Sequence, residues 1–227
     1  MTILWFQYFQ LLSLLCALIC RRGLSIYSIG IMIPILVLDN LTEFVGVNFR
    51  LFHWPNNYFV YNCYLLLSTP LFLYLFFILL NGSASSRDNS NLSSRQKTIY
   101  WSFSIVLLLL ILLIFFIYQG PKEFNTYSNL LIQTTYIILS CLALARLTLK
   151  KEDDTSILQD PRFCINAMIL LFSLVMLITL GSQKYVLQHN IEIRHKVLYF
   201  AIMPIANAVL YTGYSLAFIL CRMQVSK

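Results

Sequence analysis

Charge is what this chain lacks most: only 11% of its 227 residues are Asp, Glu, Lys or Arg, against about 25% in an ordinary soluble domain. Histidine is scarce as well, and His53, His189 and His195 all lie outside the long apolar runs. They fit solvated or interfacial positions better than a zinc site, and no HExxH pair exists. Glycine and proline, with seven and six copies, are too few for a loop-rich or low-complexity chain. The phosphate-cradling GxGxxG and GxxxxGK[ST] loops and the GxSxG nucleophile turn are missing, so no soluble catalytic domain and no cofactor are expected. None of the six cysteines, at 16, 20, 63, 141, 164 and 221, has CxxC spacing. All lie in or beside apolar segments, which favours small, soft core residues over a disulfide framework or metal site.

What fills the chain is apolar surface, at 59% of residues, with 14 Tyr and 17 Phe suited to membrane interfaces. A membrane-spanning helix needs about 20 apolar residues, because each residue rises about 1.5 Å through a hydrocarbon core of about 30 Å. Seven segments qualify: 3–20, 25–46, 58–80, 98–118, 127–149, 164–182 and 197–221. The expected fold is therefore all-α, a seven-helix polytopic bundle forming a single membrane domain over 1–227. The N-terminal run lacks a basic leader and a small-x-small cleavage site, so it reads as a retained first span. The fourth segment is apolar all round and expected to face lipid. Connectors 81–97 and 150–162 have the composition of solvated linker.

The net charge of +7 does not point to nucleic acid, since no basic run exceeds two residues. Lys and Arg instead flank the apolar segments. The odd-numbered connections and the C-terminus carry Arg21, Arg22, Arg87, Arg95, Lys97, Arg146, Lys150, Lys151, Arg162, Arg222 and Lys227. The opposite side carries only Arg50, Lys122, Lys184, Arg194 and Lys196. Positive charge stays cytoplasmic, which places the N-terminus outside and the C-terminus inside. A bacterial inner membrane is the expected location, with the lipid bilayer as first partner.

Every acidic residue falls between apolar segments except two. Asp39 and Glu43 stand four apart within the second segment, on one helical face and about 6 Å apart along its axis. Acids at such depth are costly unless paired or hydrated, and so mark a ligand, ion or proton site. Pro34 is expected to kink the segment just before them. With the chain oriented as above, other polar residues gather at the same outer depth: Asn40, Asn62, Tyr64, Asn125, Tyr127, Asn129, Gln133 and Asn207. The expectation is an outward-facing polar pocket lined by these groups. The competing reading is structural: interhelical amides and phenols contribute about 0.6–2 kcal/mol each, and Arg50 could fold back onto Glu43.

Known seven-span families are separable on single residues. A retinal protein needs a lysine inside the last span, where only Lys196 stands, at its edge. Asn207-Ala-Val-Leu-Tyr211 has the spacing of the receptor NPxxY motif but lacks its proline. Ceramidase-type hydrolases need intramembrane histidines. Glu43, Pro55-Asn56-Asn57, Phe124-Asn125-Thr126-Tyr127, Asp160-Pro161-Arg162-Phe163 and Asn207 with Tyr211 occur in an order that resembles the small seven-span membrane proteins common in Bacteroidota. These are similar in turn to seven-span input modules of sensor kinases. The resemblance implies a sensor or accessory module that signals to a cytoplasmic or membrane protein partner, with connector 150–162 as its docking surface. Two alternatives stand beside it: a small proton- or cation-coupled transporter or channel, and an intramembrane lipid-modifying enzyme. The latter would need a nucleophile or metal that the chain does not display.

Overall fold

The computed structural model describes residues 3–81, 92–119, 123–149, 157–189, 192–193 and 196–225. Most of both connectors, 82–91 and 150–156, lies outside the described residues.

The apolar segments fold as helices, the second of them only in part, because a backbone surrounded by lipid must satisfy its own hydrogen bonds. The helices are α1 (Trp5–Ile19), α2 (Arg21–Ile26), α3 (Met32–Val47), α4 (Tyr58–Asn81), α5 (Ser94–Leu113), α6 (Thr126–Leu149), α7 (Pro161–Gln188) and α8 (Leu198–Val225). A π-helical turn, Ile114–Gln119, prolongs α5. A two-residue hairpin, β1 (Glu192–Ile193) against β2 (Lys196–Val197), joins α7 to α8 with Glu192 opposite Val197. Five helices are long and apolar enough to cross a bilayer: Tyr58–Asn81, Ser94–Gln119, Thr126–Leu149, Pro161–Ser182 and Ala201–Gln224. The chain is a multi-pass helical membrane protein. The other two segments make shorter helices, α1 of 15 residues and α3 of 16, which rise only about 22–24 Å.

The second segment starts later than its apolar run. Residues 25–46 do not form one helix, because α2 ends at Ile26 and Ser28 turns the chain through a left-handed conformation at φ 59°. Helix α3 begins at Met32 and places Pro34 in its first turn. There the missing N–H is one the helix could not have bonded anyway, so Pro34 starts α3 rather than kinking it. The solvated connector is likewise shorter than 81–97. Ser93 Oγ accepts from the Gln96 N–H at 3.3 Å, and Gln96 Oε1 accepts from the Ser93 N–H at 2.9 Å. That reciprocal cap opens α5 at Ser94. Asp160 caps α7 through the Arg162 N–H at 2.9 Å, with Pro161 at the first helical position.

Six helices close a ring in the spatial order α1, α3, α4, α6, α7, α8 and back to α1. Helix α5 lies outside it against α4, with Ile105, Val106 and Leu109 exposed, as its all-round apolar sequence implies. Short α2 lies along α8, where Gly23 has no side chain to collide with the Cys221 backbone; a Cβ there would sit 3.0 Å from it. The core is filled by Phe76, Phe218, Tyr214, Ile35, Leu36 and Leu73, with Tyr136 packed between Phe72 and Phe76 at 5.2 and 5.5 Å.

Candidate functional site

Helix α3 turns its Met32–Ile35–Leu36–Asp39–Thr42–Gly46 face inward, so Asp39 enters the bundle as the one acid on a core-facing stripe. It is 4% exposed. Its two oxygens are held by phenols from different helices: the Tyr64 hydroxyl of α4 donates to Oδ1 at 2.7 Å, and the Tyr211 hydroxyl of α8 donates to Oδ2 at 3.1 Å. The Tyr211 oxygen in turn accepts from Gln10 Nε2 of α1 at 3.1 Å. One carboxylate thus gathers α1, α3, α4 and α8. Charge-assisted bonds to phenols are the kind that offset burial of an acid in an apolar medium.

Glu43 lies one turn further along and is half-buried. The Tyr61 hydroxyl donates to its Oε2 at 3.3 Å, and Gly46 makes room for that ring, whose hydroxyl would lie 3.0 Å from a Cβ at position 46. Arg50 does not neutralise it. The guanidinium carbon lies 5.8 Å from the Phe49 ring centroid, and the ion pair present among the described residues is Asp160–Arg162 at 2.8 Å. Asn40 points to α1, donating to the Leu36 carbonyl at 2.7 Å and the Gln10 carbonyl at 3.4 Å.

The remaining expected residues form separate hydrogen-bonded groups rather than one lining. Asn62 pins α4 to the segment before α6, donating to the Glu123 carbonyl at 2.8 Å and accepting from the Asn125 N–H at 3.1 Å. Asn125 is the cap of α6, its Oδ1 accepting from the Ser128 N–H at 3.2 Å. Gln133 donates to Asn129 at 3.1 Å along the same helix. Tyr127 is exposed, edge-on to Tyr118 at 5.4 Å. Asn207 is half-buried on α8. Around Asp39 itself stand the Tyr64 and Tyr211 phenols.

Sequence reasoning missed Gln10 and Tyr211. The signal for Gln10 was its spacing: Gln7, Gln10, Ser13 and Ala17 are the polar and small residues of α1 and share its buried face with Phe6. In lipid the packed face of a helix is the small and polar one. The signal for Tyr211 was its place beside Asn207 in the motif-like run, and the use it has here, bonding Asp39, is unrelated to the receptor motif.

No protein-family model, curated protein or solved structure matches this chain.

Proposed function

We propose that the protein is a membrane-embedded sensor or accessory module crossing the bilayer seven times, with its N-terminus outside. It responds to a proton or ligand at the outer-side Asp39 node, and a cytoplasmic or membrane protein partner reads the resulting change in helix packing. The observation that carries this reading is that both oxygens of one buried acid tie together helices on three sides. An amide would pin the same helices without the cost of an ionisable group in hydrocarbon. Changing the charge of Asp39 alters the hydrogen bonds of Tyr64 and Tyr211 together, and so the relative stability of two packings. Short α1 and α3 fit a crossing if the bilayer thins around them, at a cost of fractions of a kcal/mol per ångström.

The test is spin-label distance measurement between the inner ends of α1 and α8 in nanodiscs over a pH series. The wild type is expected to show a distance change that Asp39→Asn abolishes at unchanged helix content. A pH response identical in the two proteins, or none in either, would count against the reading. Cation or proton flux into proteoliposomes, lost in Asp39→Asn, would favour the transporter instead.

A further inference from the structure

We propose that the groove between α1 and α3 binds a neutral, hydroxyl-bearing amphiphile of the mono- or diacylglycerol class. The groove holds about 210 Å³, and its wall combines the amides of Gln7, Gln10 and Asn40 with Leu11, Leu41 and Phe44. Leu11 and Leu41 are exposed at 44% and 57%, so the groove opens on the lipid-facing side.

Gln10 supplies the polar demand. It is 1% exposed, and its orientation is fixed from behind: because the Tyr211 hydroxyl gives its proton to Asp39, Gln10 must present its N–H to that oxygen. Its Oε1 is then left without a donor among the described residues, and is sealed from solvent. A buried acceptor without a partner is an unmet demand that a ligand hydroxyl can supply. Asn40, in the same wall, has its N–H groups spent on two carbonyls. Its bond to the Gln10 carbonyl, at 3.4 Å, is beyond ordinary N–H···O geometry. The Asn40 amide stands beside Gln10 in the groove wall and bonds to its backbone.

The wall therefore asks for a hydrogen-bond donor and contains no Lys, Arg, Asp or Glu. A phosphate or carboxylate headgroup would bring more acceptors and a charge with nothing to neutralise it. A glycerol hydroxyl brings donors and no charge, and its acyl chain runs out between Leu11 and Leu41. Binding stands on the groove alone. Its effect on Asp39, through Gln10 and Tyr211, rests on the sensor reading.

The experiment is photolabelling of the full chain in phosphatidylcholine nanodiscs with a diazirine-bearing monoacylglycerol, mapped by peptide mass spectrometry. Label should concentrate on residues 3–11 and 40–44. Unlabelled monoolein should compete, whereas oleate and lysophosphatidic acid should not. Gln10→Leu should reduce labelling by about fivefold, as loss of one net hydrogen bond implies. Leu41→Trp, which fills the groove from the lipid side and leaves Asp39, Tyr64 and Tyr211 in place, should do the same at unchanged melting temperature. Label spread evenly over exposed faces including α5, full labelling of Leu41→Trp, or equal competition by the charged lipids would each overturn the proposal. Leu41→Trp separates the two readings: it should lose label yet keep the pH-dependent helix movement, because Asp39 and its two phenols are intact.

Discussion

Asp39 accepts hydrogen bonds from two different helices, and its substitutions should rank by what they strand. Asp39→Ala leaves the Tyr64 and Tyr211 hydroxyls buried without an acceptor. The expected loss is about 2–4 kcal/mol in reversible unfolding from mixed micelles. Tyr64→Phe removes one bond and leaves the carboxylate its second donor, so it should cost only about 1 kcal/mol. Because the two phenols share one carboxylate, a Tyr64→Phe/Tyr211→Phe cycle should show coupling of at least about 0.5 kcal/mol. Additive losses would mean that the two bonds do not sense each other. At this scale the sequence displayed the acid and Tyr64, but not the donors behind them. A helix-borne tyrosine looks alike in sequence whether it anchors an interface, as exposed Tyr127 does, or bonds an acid, as buried Tyr211 does. Only the arrangement of neighbouring helices separates the two.

Among the elements, α3 shows where apolar patterning stops being informative. Hydropathy runs without a break across residues 25–46, yet the turn at Ser28 divides them, because backbone conformation at Tyr27–Ile31 leaves no mark on side-chain polarity. Pro34 was the legible clue, since proline in a first turn marks a helix start as readily as a kink. Pro34→Ala should accordingly leave stability within about 0.5 kcal/mol of wild type, whereas a kinking proline would change helix packing when removed. The start of α7 carries a readable sign in Asp160-Pro161, although apolar patterning alone opens the segment at 164 and leaves 161–162 in the connector; Asp160→Ala should cost about 1 kcal/mol through loss of the cap. The start of α5 was legible too, in the Ser93/Gln96 pair, but the Ser- and Asn-rich run before it hid the signature within linker composition.

For the whole molecule, the turn between α1 and α3 decides how many times the chain crosses the bilayer. If both short helices cross, Arg21, Arg22 and exposed Ser25 reach the cytoplasmic surface together with the end of α8. Tyr27 already meets Gln224 there, and Gln224 donates to the Gln159 carbonyl at 2.7 Å before α7 begins. These contacts place the α1–α3 turn at the same end of the bundle as the close of α8 and the start of α7. Two arginines halfway through a bilayer would cost several kcal/mol without partners, whereas at the surface they cost nothing and set the orientation. A cysteine at Ser25, with the six native cysteines replaced, should therefore react with an impermeant maleimide only after sealed membrane vesicles are inverted. A cysteine at Asn56 should react only before inversion. Reaction at Ser25 from the same side as Asn56, or from neither side, would reduce α1 and α3 to a re-entrant pair and leave five crossings. The polar tie from Gln10 to Asp39 would then belong to an interfacial cap rather than to the centre of a seven-helix bundle.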